Sequence, residues 1–317
     1  MKIVFMGTPD FAKESLEGLV EAGYDVAAVV TNPDKPKGRG MKMIFSPVKE
    51  YAVSKGLEVL QPVKVRNNEE FIDRIKSYNP DVICVVAYGK IIPKEILDIP
   101  KFGCINVHGS LLPKYRGAAP IQWAVLNGEK ITGITTMFMD IGMDTGDMIL
   151  KEEVEIGENE TTGELWNRLS KIGSDLLVKT IGLIENGNVP REKQDESEAT
   201  YAPMLSKEIG KINWDEFTSE KIKNLVRGLN PIMGAYTFLD EKKLKIWEIE
   251  NCRGKACPCP PNVKPGAVIE SNEKTGLYIK TVDGIISIIE IQAENSKRMN
   301  IKDYLRGNKI EVGKVLK

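Results

Sequence analysis

An uninterrupted apolar run at residues 82–87, Val-Ile-Cys-Val-Val-Ala, constrains the fold of this chain more than any other feature. A strand that is apolar at every position has both of its faces covered, which is typical of a parallel sheet. Amphipathic segments such as Phe11–Val20 and Phe71–Tyr78 separate several other β-rich runs. Those runs are Ile3–Met6, Val26–Thr31, Cys104–Val107, Thr135–Met139 and Met148–Leu150. Alternating strands and helices predict a doubly wound, Rossmann-like α/β domain.

The second half of the chain follows a different pattern. A capping-box sequence at Thr161–Glu164, followed by apolar residues at helical spacing, predicts a long helix that stops near Gly187. After a polar stretch, a short helix at Ser219–Leu229 and consecutive strand patterns between turns predict a small β-barrel, for which an OB-like fold is one option. The predicted organisation is an α/β domain at 1–187, a linker at 188–205 and an OB-like β-barrel domain at 206–317.

Cysteine usage and hydropathy bear on the compartment. An odd number of cysteines, five, fits a reducing environment, and Cys84 and Cys104 are expected to be buried thiols. Cys252, Cys257 and Cys259 lie in a Pro-rich stretch far from the only histidine, so no metal site is expected. The first apolar run is too short for a signal peptide, and no run approaches the roughly 18 residues of a membrane span. We therefore expect a cytoplasmic protein that does not contact a membrane.

The charge is unevenly distributed although the formal net charge is only −1. Residues 35–49 carry five basic and no acidic side chains, and residues 297–317 are also predominantly basic. Two basic stretches on a nearly neutral protein are typical of a protein that binds a polyanion at two places. Loops whose lysines are only solvated would have the same composition.

Three polar, Gly-rich segments follow predicted strands, where open α/β sheets collect their ligands. They are residues 86–90, 106–113 and 140–147. Asn106 and His108 share one face of a strand because side chains alternate with period two. Together with Asp144 from the third segment, they could form an acid/base site, although the residues by themselves identify no reaction. The first βα turn lacks the glycine fingerprint of dinucleotide binding.

Several of these segments resemble the folate-dependent formyltransferases. Residues 106–121, NVHGSLLPKYRGAAPI, look like the signature of that family, and residues 139–147, MDIGMDTGD, resemble its folate loop with the catalytic aspartate. The opening FMGTPDF at 5–11 fits as well. The resemblance implies that Asn106, His108 and Asp144 are catalytic and that 10-formyltetrahydrofolate is the co-substrate. The folate contacts that it implies are Tyr88, Gly89, Lys90, Ile91, Ile92, Ser110, Leu111, Leu112, Pro113 and Asp140.

Other segments resemble the branch of the family that formylates the methionine of initiator methionyl-tRNA. Residues 32–40 and 46–49 are similar to its tRNA-contacting loop, and segments at 201–207, 227–231, 297–299 and 304–307 match its second domain. We expect a monomer, and the resemblance implies that no metal is needed. It also implies tRNA contacts at Lys35, Lys37, Arg39, Lys42, Lys297 and Arg298. The Cys/Pro-rich insert at 252–261 departs from the pattern.

Four rival functions remain open from the residues. An amino-sugar-nucleotide formyltransferase would not need the Gly-Arg-Gly loop, and a formate-releasing hydrolase would turn over without an acceptor. A non-catalytic RNA-binding module would leave Asn106, His108 and Asp144 without a role. A dehydrogenase fits the fold but lacks the glycine fingerprint.

Overall fold

The computed structural model describes residues 1–37, 42–252 and 263–317, and forms two compact units. Unit 1 contains residues 1–120, 131–155 and 166–203, and unit 2 contains residues 121–130, 156–165 and 204–317. Of the residues singled out from the sequence, Arg39, Cys257 and Cys259 lie outside the described part. No helix in the described ranges is long and apolar enough to cross a membrane.

Unit 1 is built on a seven-stranded sheet whose order is β5-β2-β1-β6-β7-β8-β9. The strands are β1 (Lys2–Gly7), β2 (Asp25–Val30), β5 (Val59–Leu60), β6 (Val82–Val86), β7 (Cys104–His108), β8 (Ile131–Phe138) and β9 (Met148–Glu155). The first five are parallel to one another, whereas β8 is antiparallel to both β7 and β9. A short hairpin of β3 (Lys35–Lys37) and β4 (Lys42–Ile44) forms a separate sheet.

Helices cover both faces of this sheet. The helices of unit 1 in chain order are α1 (Asp10–Glu21), α2 (Pro47–Ser54), α3 (Glu69–Ser77), α4 (Lys94–Leu97) and most of α6 (Thr162–Glu185), whereas α5 (Pro120–Leu126) belongs, apart from its first residue, to unit 2. Phe71 and Ile75 of α3 join Ile96 of α4 in a core with Val4 and Ile83 of the sheet. On the other face, α6 comes so close to β7 that a Cβ at Gly173 would lie 3.1 Å from Val107 Cγ1. The predicted fold class, a doubly wound α/β domain, is confirmed.

The long helix α6 begins and ends where its sequence signals predict. At its start, the Thr161 hydroxyl accepts from the Glu164 amide at 3.3 Å, while the Glu164 carboxylate accepts from the Thr161 amide at 2.8 Å. At its end, Gly187 adopts a left-handed φ of +71°. These contacts satisfy backbone groups that a helix terminus otherwise leaves without partners.

Unit 2 contains an antiparallel sheet in the order β10-β11-β14-β13-β12, and the short β15 pairs with β14. Its elements are α7 (Ser219–Gly228), β10 (Ala235–Leu239), β11 (Lys242–Asn251), β12 (Val268–Asn272), β13 (Gly276–Lys280), β14 (Ile285–Ala293), β15 (Met299–Asn300) and α8 (Ile301–Gly307). The chain terminus joins the two edges of the sheet. Lys317 exchanges backbone hydrogen bonds with Phe238 of β10, while Lys314 O accepts from Val268 of β12. This closure agrees with the predicted barrel.

The polar segment predicted as a linker at 188–205 belongs largely to unit 1. Glu192 exchanges backbone hydrogen bonds with Met148, and Ala202 donates to the carbonyl of Arg116. This segment is held by hydrogen bonds to the backbone and side chains of unit 1. Such hydrogen bonds require no hydrophobic pattern, so the polar sequence looks like that of a linker.

Candidate functional site

Asn106 and His108 lie in the last three residues of β7, next to the parallel strand β6. Alternation along the strand sends Val107 toward α6 and leaves the two polar side chains on the opposite face. Asn106 is partly buried, and His108 is only 5% exposed. A site here is therefore partly shielded from water, which strengthens its electrostatic interactions.

Asp144 reaches this pair from an unexpected direction. The sequence prediction put the 140–147 segment at the same sheet edge as the other two, but β8 runs antiparallel, so its end at Phe138 lies beside Ile105 near the start of β7. The loop then turns back on β8, and a Cβ at Gly146 would lie 1.8 Å from the carbonyl oxygen of Phe138. Asp140 closes the loop by accepting from the Thr145 hydroxyl at 2.6 Å. Glycine at 146 is required because no side chain fits there.

The three side chains meet around the Asp144 carboxylate. Its Oδ1 accepts a long hydrogen bond of 3.4 Å from Asn106 Nδ2, and its Oδ2 lies 3.7 Å from His108 Nδ1. Oδ2 also accepts from the backbone amide of Gly117 at 2.8 Å. The amide, imidazole and carboxylate expected from the sequence are thus brought together in one cluster.

The His108 ring has a defined tautomer in this arrangement. Its Nε2 lies 2.9 Å from the carbonyl oxygen of Tyr115. A carbonyl oxygen can only accept, so we assign the proton to Nε2. In the neutral ring, Nδ1 is then the nitrogen with a lone pair, and it is the one that faces Asp144. His108 can therefore exchange a proton through Nδ1 while Nε2 holds the ring in place.

Three consecutive residues, Tyr115 to Gly117, hold both His108 and Asp144, and no role for them was predicted from the sequence. Tyr115 contributes its carbonyl and Gly117 its amide. Their backbone pairs with residues 194–202, which we call the brace segment. Within it, Thr200 accepts from the Tyr115 amide through its hydroxyl at 2.9 Å and from the Arg116 amide through its carbonyl at 2.8 Å. Within the 106–121 signature, the Arg116–Gly117 dipeptide was the sequence feature that could have indicated a role for these residues.

The residues expected to contact folate divide into exposed and buried groups. Ile91 is 76% exposed and Asp140 is also exposed, as are the neighbouring Ile141 and Met143. Tyr88, Ile92, Leu112 and Ser110 are buried, and Leu111 and Pro113 are partly buried. Lys90 donates to the carbonyl of Pro62 at 2.7 Å, and Gly89 has a left-handed φ of +74°. Side-chain contact with a ligand is therefore available mainly from the exposed group.

Tyr88 has an additional feature. Its hydroxyl is buried and has no hydrogen-bond partner among the described residues, and burial raises the pKa of the phenol to about 12. An unpaired buried hydroxyl costs about 1–3 kcal/mol, so a ligand atom that accepts from it would be favoured.

The basic residues occupy two places in the described part of the chain. Lys35, Lys37 and Lys42 lie on the β3–β4 hairpin, and Lys297 is exposed in unit 2. Arg298 is already engaged within unit 2. Its guanidinium pairs with Glu290, lies 3.3 Å from Asn230 Oδ1 and stacks over Trp247 at 4.8 Å.

The base of the hairpin is held by a partly buried ion pair. Lys49 Nζ lies 2.5 Å from Asp34 Oδ2 and 2.8 Å from Gln61 Oε1, and it sits 3.9 Å above the ring of Phe45. Gln61 Nε2 also donates to Asp34 Oδ1 at 2.9 Å. The hydrogen bond from Lys49, followed by that from Gln61, lowers the pKa of the Asp34 carboxyl.

Two of the cysteines within the described ranges are buried thiols. Cys84 and Cys104 are buried, and burial raises the pKa of both, that of Cys104 to about 12. Among the described residues, no three His, Cys, Asp or Glu side chains are grouped so that they could hold a metal ion.

An α/β domain with an Asn–His–Asp cluster at a strand end, followed by a β-barrel, is the arrangement expected of a formyltransferase. The chain belongs to the formyl transferase family: residues 1–181 match the model of the formyl transferase domain, and residues 204–309 match that of the formyl transferase C-terminal domain. The expected family resemblance is thereby confirmed.

Within that family, the chain is similar over its whole length to methionyl-tRNA formyltransferases. It is 53% identical to the enzyme of Clostridium tetani over 317 residues, covering 100% of this chain and 99% of the relative. The enzyme of Caldanaerobacter subterraneus subsp. tengcongensis is 52% identical over 317 residues with complete coverage of both chains. That of Ruminiclostridium cellulolyticum is 50% identical over 318 residues, covering 100% of this chain and 99% of the relative.

Solved structures share the fold at lower identity. The N-formyltransferase of Helicobacter canadensis, solved with folinic acid and dTDP-3-aminofucose, has a TM-score of 0.65 at 21% identity, covering 92% of this chain and 99% of that one. HypX from Aquifex aeolicus has a TM-score of 0.66 at 17% identity, but this chain spans only 49% of its length. At such identities the likeness supports the fold alone.

Proposed function

We propose that this enzyme transfers the formyl group of 10-formyltetrahydrofolate to the α-amino group of methionine on initiator methionyl-tRNA, for translation initiation. The observation that carries the proposal is the convergence of Asn106, His108 and Asp144 at the end of β7. The full-length similarity to methionyl-tRNA formyltransferases supports the choice of acceptor.

Asn106 has the chemistry to stabilise charge on the formyl oxygen. Attack by an amine on a formyl carbon moves negative charge onto that oxygen, and an amide N–H can donate to it. Nδ2 of Asn106 carries two hydrogens, of which its long bond to Asp144 uses one. Comparable oxyanion donors contribute roughly 2.7–4 kcal/mol where they have been removed.

His108 and Asp144 would handle the proton that the attacking amine must lose. His108 is fixed through Nε2 and presents Nδ1, so it can accept the amine proton there and return it to the leaving nitrogen. Asp144 faces the same nitrogen and would balance the charge of the protonated ring. The 3.7 Å separation is longer than a hydrogen bond, so a water held by Asp144 could complete the path. General acid–base help of this kind contributes about 10²–10⁴-fold.

The described residues fit a folate co-substrate, which would supply the formyl group. A pterin is flat and largely apolar, with polar edges. The exposed Ile91, Ile141 and Met143 offer apolar contact, and Tyr88 offers an unpaired hydroxyl. We propose that the loops at 88–92, 110–113 and 140–144 bind it, in part through their backbones.

The tRNA would contact basic residues in two parts of the chain. We propose that unit 1 binds folate and carries the chemistry, and that unit 2 contributes to tRNA binding through Lys297 and its neighbours. Lys35, Lys37, Arg39 and Lys42 of the basic loop would contact phosphates, in which case affinity must fall with salt. We further propose that the enzyme acts as a cytoplasmic monomer.

The decisive test is one assay with 10-formyltetrahydrofolate and methionyl-tRNA, comparing initiator with elongator tRNA. We expect formylmethionyl-tRNA from the initiator only. Folded Asn106→Ala and His108→Ala variants should lose about 10²-fold or more of kcat. Release of formate without acceptor, or formylation of an amino-sugar nucleotide instead, would contradict the proposal.

A further inference from the structure

Asp144 holds its place in a backbone conformation that few residues adopt. Its φ of +55° lies in the left-handed region, which aspartate tolerates better than most side chains but does not prefer. This conformation directs the carboxylate toward Asn106 and His108, so the contacts that stabilise it also determine the geometry of the site.

Those contacts come from the brace segment. Nε2 of Gln194 donates to the carbonyl oxygens of Asp144 and Gly146, at 2.7 Å and 2.8 Å. One side-chain amide therefore closes the turn that carries Asp144, from a residue 50 positions away in the sequence.

The Gln194 amide is itself oriented by Arg116, whose side chain is only 1% exposed. Gln194 Oε1 accepts from Nε of Arg116 at 3.0 Å and from Nη2 at 2.8 Å. The other edge of the guanidinium donates to both oxygens of Glu196 at 2.8 Å, which raises the pKa of Arg116. Because a guanidinium can only donate and a carbonyl can only accept, the amide has one orientation that satisfies every partner.

We propose that Gln194 is a positioning residue of the active site: its NH₂ group, oriented by the buried Arg116, holds the Asp144 turn so that the carboxylate faces His108. The role rests on the proposed function of the Asn106–His108–Asp144 cluster. Gln194 does not touch the reacting atoms, and it acts only through Asp144.

The substitution Gln194→Glu separates this role from that of a simple partner for Arg116. A carboxylate keeps the size of the side chain and pairs more strongly with the guanidinium, but it places a second oxygen against two carbonyl oxygens. If Gln194 served only to pair Arg116, the variant would keep wild-type kcat. A positioning role predicts that kcat falls about 10–100-fold while both KM values stay within about threefold.

Asn186→Asp is the matched control. Asn186 also donates through its amide to a backbone carbonyl, that of Gly182, at the exposed end of α6. It undergoes the same amide-to-carboxylate change away from the site, and its kcat should equal that of the wild type. Thermal melting of each variant establishes that it is folded, and Gln194→Ala serves as a second variant.

Two readouts respond to positioning and not to general destabilisation. In an Asp144→Ala background, Gln194→Glu should lower kcat no further, because its effect passes through Asp144. The Gly117 amide, which donates to Asp144 Oδ2, should exchange with solvent faster in Gln194→Glu and unchanged in Asn186→Asp.

The outcomes separate this inference from the proposed function. Unchanged Gly117 exchange together with unchanged kcat in Gln194→Glu overturns the positioning role. Additive losses of kcat in the double variant overturn it as well. Faster Gly117 exchange in an enzyme whose wild type does not formylate methionyl-tRNA would support the positioning of Asp144 and refute the acceptor.

Discussion

Gly117 supplies the amide that holds one oxygen of Asp144, and its surroundings exclude any other residue. Its φ is +120°, and a Cβ there would lie 2.8 Å from the backbone oxygen of Ala202 in the brace segment. A side chain at 117 must therefore displace either the brace segment or the amide itself. Because the brace segment is also bonded to Tyr115, either shift moves groups that hold His108.

We predict that Gly117→Ala lowers kcat about 10–100-fold with smaller changes in KM, since a misplacement of about 1 Å can cost about 10²-fold. Steady-state kinetics on the folded variant test this. Gly56→Ala is the control: Gly56 also has a positive φ, +69°, but no atom lies within 4 Å of an added Cβ. The control should lose some stability and keep kcat; wild-type kcat in Gly117→Ala would disprove the argument.

Asp34, the residue just before β3, is linked to α2 through its ion pair with Lys49, and its lowered pKa makes the stability from this pair depend on pH. A carboxyl whose pKa is lower in the folded state stabilises the fold above its unfolded pKa of about 3.9, and that stability is lost as the pH falls through the folded value. We predict that Asp34→Asn melts below the wild type at pH 7 and that the difference shrinks below about pH 4.

Asp98→Asn provides the comparison for Asp34. Asp98 also forms an ion pair, with Lys94, but both side chains are about 60% exposed. Exposed pairs contribute about 0–1 kcal/mol, so this variant should melt close to the wild type at every pH. A gap between Asp34→Asn and wild type that persists at pH 3 would contradict the linkage.

Among the secondary-structure elements, α6 has a capping box that satisfies backbone groups at its N-terminus. Thr161→Ala removes the hydroxyl that accepts from Glu164, and we predict a loss of about 1 kcal/mol in the free energy of unfolding, measured with urea. Glu164→Gln should lose less, because an amide oxygen still accepts from the Thr161 backbone amide. Equal losses in the two variants would mean that the reciprocal bonds are not what stabilises this end.

Strand direction is the element-scale feature that changed most between sequence and structure. The run Thr135–Met139 predicted a strand, which in the structure is the longer β8, but such a run does not encode whether a strand is parallel or antiparallel to its neighbours. Because β8 is antiparallel, the loop that carries Asp144 must fold back over the sheet. The reversed loop depends on Gly146, where no side chain fits, on Asp140, which accepts from Thr145, and on the brace segment, which bonds to the Asp144 turn.

At the scale of the whole molecule, a net charge of −1 means that tRNA binding must depend on local basic groups. Lys297 is exposed, whereas Arg298 is held by Glu290, Asn230 and Trp247. We predict that Lys297→Ala leaves the melting temperature unchanged and reduces by about 1 the slope of log affinity against log salt concentration.

Arg298→Ala, in contrast, should lower the stability of unit 2 by about 1 kcal/mol, because it removes an ion pair and a cation–π contact. Binding of initiator tRNA at several salt concentrations, together with melting curves, distinguishes the two residues. Salt-independent binding by the wild type would refute phosphate contacts altogether.

The local structure and the chemical groups of the candidate site could be predicted from the sequence. The apolar run at 82–87 became β6, the capping box became the start of α6, and the signature at 106–121 pointed to Asn106 and His108. These features are local: periodicity, caps and alternation act over a few residues and leave a visible pattern.

How these groups are held in place depends on contacts between residues that are distant in the sequence. The antiparallel course of β8, the closure of the second sheet by Lys314 to Lys317 and the path from Arg116 through Gln194 to Asp144 all join residues far apart in the sequence. They consist of backbone and amide hydrogen bonds, which almost any polar segment can form, so composition does not reveal them. For this reason the polar segment predicted as a linker contains the brace segment of the candidate site.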